Sequence, residues 1–261
     1  MTDRAAWQIP TFTEMVLAEK RHDYALVIPV INEGQRIRCQ LGLIAKISPP
    51  VDVIIADGGS TDRSLELDFL RDSGVRALLI KTGPGRLSAQ LRMAYAWCLD
   101  ARYDGIITID GNGKDSVAAI PDFVIKLEQG FDYVQGSRYR LGGRGENTPL
   151  DRYVAGRLIH APVLSLAARH WFTDTTNGFR AYSGRYLRDP RVAPFRDVFA
   201  QYELLFYLTV RAPQLNYRVT EIAVTRRYPP NSVPTKIAGW RGRLHMLNEL
   251  FGAALGRFHP R

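Results

Sequence analysis

Apolar residues along the chain gather into short runs closed by polar turns, and between those runs lie longer stretches with helical spacing. Residues 24–30 (Tyr-Ala-Leu-Val-Ile-Pro-Val), 51–56, 75–80, 105–109 and 133–136 each read as a buried strand. Helices are expected over Arg36 to Lys46, from Arg63, over a stretch carrying Leu87, Leu91, Ala94, Tyr95 and Cys98, and from about Val117. Strand and helix alternate through this half, which predicts an α/β fold with a mostly parallel sheet and crossover helices on its faces. Residues 1–22 are more polar and are expected to form a surface lead-in, with a short helix over Phe12 to Lys20.

The rhythm changes after Arg138. Residues 139–150, rich in Gly and Arg and without periodicity, predict a mobile loop. Asp151 to Ala168 reads as a helix, Asp174 to Arg180 as a polar turn entering a short strand, Phe199 to Val210 as a dense apolar helix and Tyr217 to Thr225 as a strand. A proline-bearing loop, Arg226 to Lys236, follows. The last helix carries a stripe at Ile237, Trp240, Leu244, Leu247, Phe251 and Leu255, to be covered by the core, a second copy in a homodimer, or a membrane interface.

Three strands end in acidic turns: Pro29 to Glu33, Asp57 to Asp62, and Asp110 to Asp115. In a parallel sheet such turns share one rim, beyond the carboxyl ends of the strands, where ligands bind. Asp110 and Asn112, two residues apart around Gly111, can turn two oxygens toward a hard cation whose other ligands are phosphates. A solvated turn is the bland alternative. A G-x-G-x-x-G turn after the first strand and a Walker-type loop are both absent, which disfavours a nicotinamide cofactor.

The formal net charge of +9 favours an anionic partner. No aromatic-and-basic pattern, helix-turn-helix or zinc spacing points to nucleic acid. Cys39 and Cys98 lack metal spacing and read as small core residues of a reducing compartment. No leader pattern opens the chain and no apolar run reaches the ~18–20 residues that span a bilayer, so a cytoplasmic protein is expected, with the inner face of the membrane within reach.

The ordered set Val27 to Glu33, Asp57-Gly58-Gly59-Ser60-Thr61-Asp62, Asp110-Gly111-Asn112, Gly136-Ser137-Arg138-Tyr139 and Asn177-Gly178-Phe179-Arg180 resembles glycosyltransferase family 2. Within it the likeness is greatest to the catalytic domains of polyprenyl-phosphate sugar transferases such as dolichol-phosphate mannose synthase, over roughly residues 24–236. The resemblance implies a GT-A fold over 23–236, with a nucleotide-sugar half at about 23–138 and an acceptor half at about 139–236, followed by a C-terminal amphipathic helix over 237–261. It implies a nucleoside-diphosphate sugar donor and a phosphate- or hydroxyl-bearing acceptor, possible partners including a lipid-linked one. By it Pro29, Asn32, Glu33 and Asp57 line the nucleoside pocket, and Asp110 and Asn112 hold Mg²⁺ or Mn²⁺ against the diphosphate. Arg180 and Lys236 fall where the family keeps basic groups near phosphates.

Two departures from the family stand out. Asp57-Gly58 replaces a frequent pair of aspartates, and Asn112 brings an oxygen without a charge while Lys114 adds positive charge, so either Asp115 helps with the ion or metal binding is weak and cationic side chains carry part of the phosphate neutralisation. Glu203 lies in an apolar stretch where an unpaired carboxylate is costly. It is expected to act as a general base toward an acceptor hydroxyl or, alternatively, to pair with an arginine from the 138–157 region; an ionised phosphate acceptor needs no base. Arg86 and Arg138, with Asn177, are carried as substrate contacts, whereas Arg144, Arg226 and Arg227 read as solvated. His160, His170 and His245 are given no role. Inverting glycosyl transfer is the leading reading; a sugar nucleotidyltransferase and a catalytically weak nucleotide-sugar-binding module stand as alternatives.

Overall fold

The computed structural model describes residues 4–229 and 239–260. The chain runs through β1 (Phe12–Val16), β2 (Tyr24–Val30), α1 (Gln35–Ile47), β3 (Asp52–Asp57), α2 (Leu67–Asp72), β4 (Val75–Lys81), α3 (Leu87–Asp100) and β5 (Gly105–Thr108). It continues through α4 (Ile120–Glu128), β6 (Tyr133–Ser137), β7 (Arg144–Glu146), α5 (Leu150–Ala155), a π-helical turn (Gly156–His160) and α6 (Ala161–Ala168). The remainder comprises β8 (Arg180–Ser183), α7 (Gly184–Arg188), α8 (Glu203–Gln214), β9 (Val219–Ala223), β10 (Thr225–Arg227) and α9 (Gly239–Ala254).

Among the described residues one sheet of eight strands has the order β1-β4-β3-β2-β5-β8-β6-β9. Pairing is parallel from β4 to β5 and between β6 and β9, and antiparallel where β1 and β8 join. Alternation along β2 sorts its side chains. Ala25 and Val27 enter the core built with α3, α6 and α8, while Leu26, Ile28 and Val30 enter the core built with α1 and α4. After β4 the chain crosses to the other side of β2 to lay down β5, so the strand order reverses between β2 and β5. A crevice opens outside the carboxyl ends of the strands at such a point.

Several sequence expectations are corrected. Phe12 to Lys20 is not a helix: Phe12–Val16 is an edge strand antiparallel to β4, with Phe12 and Met15 packing on opposite cores, and tertiary pairing overrides its polar look. The helix expected from Arg63 begins only at Leu67, because Arg63 has φ 56°, a left-handed value an α-helix cannot pass through. The loop over 139–150 is tied down by β7, which pairs in parallel with β10. Cys39 is exposed rather than in the core, and Cys98 is buried.

The helix expected at Phe199 starts at Glu203, since the backbone just before it has other work. The Ala200 and Gln201 carbonyls accept from the Arg86 and Ser88 amides at 2.6 and 2.7 Å and so hold the start of α3. In α9 the buried side chains are Glu249, Leu250 and Ala253, whereas Leu244, Phe251 and Leu255 of the expected stripe are exposed. Ile237 lies outside the described residues.

Candidate active site

A cleft of about 680 Å³ opens at the reversal point, a volume ordinary for a small-molecule site. Pro29 near the end of β2, Ile31 and Glu33 after it, Gly58 after β3, Lys81 at the end of β4, Arg86 before α3, and Asp110 and Asn112 after β5 all line it. Three sequence-predicted turns thus meet on one rim.

At its floor Arg226 holds two carboxylates. Its Nη2 donates to Asp110 Oδ2 at 3.0 Å, and its Nη1 pairs with Asp115 Oδ2. Asp110 keeps 26% of its side chain exposed, while Asp115 has none. Burial pushes the Asp115 carboxyl upward against the pull of the Arg226 charge. Lys114, also lining the cleft, has its ammonium pushed down to about 8 by burial and then by the Arg226 and Arg152 charges. Two glycines make the geometry possible. A Cβ on Gly178 would sit 2.5 Å from Asp110 Oδ1, and one on Gly111 would sit 3.0 Å from the Pro29 carbonyl.

The acidic turns are stitched to each other. Asn32, at φ 50°, accepts the Thr61 amide on Oδ1 at 2.8 Å and donates its own amide to Ser60 Oγ at 3.0 Å. Asp57 is buried and receives the Ser60 amide at 2.9 and 3.0 Å and its hydroxyl at 2.6 Å. The Asp62 carboxylate accepts the Gly34 amide at 2.7 Å. Asn32 and Asp57 therefore shape the wall behind Ile31 and Gly58. Glu33 faces the cleft and pairs with Arg36 at 2.8 Å.

Other sequence candidates stand elsewhere. Arg180 is fully buried and donates to the Thr175, Asn177 and Leu205 carbonyls at 2.7–2.8 Å and to Thr209 Oγ1 at 3.0 Å. It braces the 174–180 turn against α8 and does not line the cleft. Arg138 is likewise buried in a bidentate pair with Asp174 at 2.7 and 2.9 Å. Burial alone would raise the Asp174 pKa, yet the Arg138 hydrogen bonds and charge hold it below the usual range. Asn177 is buried and accepts the Phe179 amide at 3.0 Å. Lys236 lies outside the described residues.

Glu203 pairs with no arginine of the 138–157 region. Its Oε2 accepts the Gln201 amide at 2.7 Å, and its charge acts on Glu249 of α9. Burial, then the charge of Glu203, push the Glu249 carboxyl up to about 8, and His245 stands 2.8 Å from its Oε1. Like charge and desolvation act in the same direction on Glu249.

Sequence reading missed Lys81, Gln90, Arg152 and Tyr202 as cleft residues and took Arg226 for a solvated one. The available signal for Arg226 was the alternation of Thr225 to Tyr228. The backbone bridge between Asp115 and Arg226, which joins residues over a hundred positions apart, is invisible in sequence.

No protein-family model matches the chain. Curated relatives do. The chain is 28% identical over 205 residues to an undecaprenyl-phosphate mannosyltransferase of Micrococcus luteus, covering 76% of this chain and 81% of that one. It is 25% identical to a polyprenol monophosphomannose synthase of Mycolicibacterium smegmatis, over 77% and 76% of the two chains. To a dolichyl-phosphate hexose transferase of Haloferax volcanii it is 26% identical, over 90% and 91%. The chain is thus similar over most of its length to polyprenyl-phosphate sugar transferases. Among solved structures, glucosyl-3-phosphoglycerate synthase from Mycobacterium tuberculosis, with Mn²⁺, uridine diphosphate and phosphoglyceric acid bound, matches with a TM-score of 0.63. It shares 19% identity and covers 91% of this chain and 79% of its own, which places the chain in the GT-A fold.

At Asp110 the question is whether the donor set suits a divalent ion. Both hydrogen bonds to the Asp110 carboxylate land on Oδ2, so Oδ1 remains turned toward Gly178. Asn112 Oδ1 accepts the Lys114 amide at 3.2 Å and keeps a lone pair. Asn112 turns its Nδ2 toward Asp110 Oδ2 at 3.4 Å, so both residues can offer oxygens to a cation completed by phosphate only with the Asn112 amide turned over. Among the described residues no group of three His, Cys, Asp or Glu side chains forms a self-sufficient metal cage. Asp115 does not line the cleft: it is wholly buried, with Oδ2 on Arg226 and Oδ1 without a hydrogen-bond partner among the described residues.

Proposed function

We propose that this chain transfers a sugar from a nucleoside-diphosphate sugar to a polyprenyl phosphate, with inversion at the anomeric carbon. One observation carries the reading: in a chain similar along most of its length to lipid-phosphate sugar transferases, Asp110 and Asn112 share a cleft with Lys81, Arg86, Lys114 and Arg226. Four cations against so few acids suit a ligand with several phosphate charges.

In this reading Pro29, Ile31 and Glu33 hold the nucleoside, and Asp110 and Asn112 hold Mg²⁺ or Mn²⁺. The ion supplies charge to the leaving diphosphate when bound. Arg86 and Lys114 bind the diphosphate beside it, and Arg226 fixes the Asp110 rotamer. The acceptor's phosphate oxygen is already ionised, so no base is required. This suits Glu203, whose Oε2 is taken by the Gln201 amide. The nucleotide-sugar half is assigned to about 23–138 and the acceptor half to about 139–236, at the cytoplasmic face of a membrane.

The test is a thermal-shift screen against UDP-, GDP-, CDP- and dTDP-sugars with Mn²⁺ or Mg²⁺, then transfer of the labelled sugar to polyprenyl phosphate. A donor-dependent shift with labelled glycolipid is the expected result. Labelled product on a hydroxyl acceptor alone would overturn the choice of acceptor.

A further inference from the structure

Helix α1 buries Ile37, Gln40, Leu41 and Ile44, the spacing by which a helix turns one face to a core. Three of the four are aliphatic. The other is a carboxamide, only 2% exposed. Withdrawing such a group from water costs stability unless its ends are hydrogen-bonded, so its partners account for its presence. Both partners are main-chain groups of one turn: Gln40 Nε2 donates to the Asp110 carbonyl at 3.1 Å, and Gln40 Oε1 accepts the Gly113 amide at 3.0 Å. They also fix which way the carboxamide points. A carbonyl only accepts and a main-chain N–H only donates, so turning the group over would break both bonds.

The carbonyl of one residue and the amide three residues on are the groups that bond each other in a closed β-turn. Here the Gln40 carboxamide takes both, and the segment it brackets carries Asp110 and Asn112. Gly113, at φ 69°, lets the chain double back, and a Cβ on it would lie 3.6 Å from the Arg36 carbonyl, so the bend rests on the first turn of α1. Between the two bonds the Gly111 amide reaches the Pro29 carbonyl at 3.3 Å. Arg226 holds the carboxylate of Asp110, and Gln40 holds the main chain on either side of the pair. Gln40 does not itself line the cleft.

We propose that Gln40 is a positioning residue for the cation: its carboxamide sets the main-chain course of residues 110–113 and thereby the directions in which Asp110 and Asn112 present their side chains. That a cation is what is positioned rests on the metal-assisted reading; the clamp on the turn does not. Groups that orient a metal's ligands without touching the metal are worth about 10–100-fold in metal affinity.

The experiment compares the full chain with Gln40→Met, which keeps the bulk and removes both polar ends. Bound Mn²⁺ is counted from the loss of the free-ion electron paramagnetic resonance signal, and amide hydrogen exchange is followed at Gly113. The variant should bind Mn²⁺ at least about tenfold more weakly and need correspondingly more Mn²⁺ for sugar transfer, with kcat recovered at saturating metal. A lowered melting temperature with unchanged Mn²⁺ binding would show that Gln40 only stabilises the fold and would overturn the proposal. Should the variant fail to fold, the wild type decides. Gly113 is exposed, so its amide should exchange at least about tenfold more slowly than in an unstructured chain only if Gln40 holds it. Exchange at the unprotected rate, or no Mn²⁺ binding by the wild type, would each overturn the role given to Gln40. Mn²⁺ binding that depends on Gln40 in a chain that transfers no sugar would instead count against the enzymatic reading alone.

Discussion

Arg226 Nη2 stands 3.0 Å from Asp110 Oδ2 while the same guanidinium pairs with the wholly buried Asp115. One side chain thereby sets the rotamer of the cleft's central acid and neutralises an acid that never meets solvent. Arg226→Ala would leave Asp115 buried without its partner, a loss of about 3–5 kcal/mol. Denaturant unfolding should show that loss, whereas a change below about 1 kcal/mol would mean the pair is not a structural linchpin.

Gly178→Ala tests the contact behind Asp110. A methyl group 2.5 Å from Oδ1 must displace the carboxylate. Transfer should fall by at least about tenfold while the melting temperature changes little, since displacement by about 1 Å is costly for positioning. Wild-type turnover in this variant would show that the Asp110 position is not critical.

Arg180 is expected to matter for stability rather than chemistry. Arg180→Met removes the donor from three carbonyls and a hydroxyl in the interior, each worth about 1–3 kcal/mol when left unsatisfied. The variant should unfold at markedly lower denaturant concentration. A normally stable but inactive Arg180→Met protein would restore the phosphate-binding role that the structure argues against.

The Glu203–Glu249 pair predicts a pH dependence. Glu249 is raised in the folded state from 4.5 to about 8, so the folded chain keeps a proton that the unfolded chain has released. Stability contributed there is complete below about 4.5 and declines as pH rises toward about 8. His245, 2.8 Å from Glu249, offsets the penalty where it is protonated. Glu249→Gln should flatten the decline seen in unfolding midpoints between those limits; an unchanged slope would place the titrating group elsewhere.

The parallel half was legible because β2, β3 and β5 are buried on both faces and read as unbroken apolar runs closed by turns. The same runs delivered Pro29, Glu33, Asp110 and Asn112 to one cleft. What stayed hidden depends on long-range pairing. Phe12–Val16 is a strand only because β4 offers it an edge, and residues 199–202 stay out of α8 because their carbonyls hold α3. Arginine carries no sequence mark separating a brace such as Arg180 from a cleft residue such as Arg226. Both are buried, and only the atoms around them decide the role.

Simultaneous measurement of the two products tests the central claim most directly. With the cognate nucleotide sugar, a divalent ion and polyprenyl phosphate, the account predicts nucleoside diphosphate and polyprenyl-phosphate sugar in equal amounts, and Asp110→Ala, still folded, should reduce both by about 10²-fold or more. Release of pyrophosphate, donor binding without either product, or full activity of Asp110→Ala would contradict it.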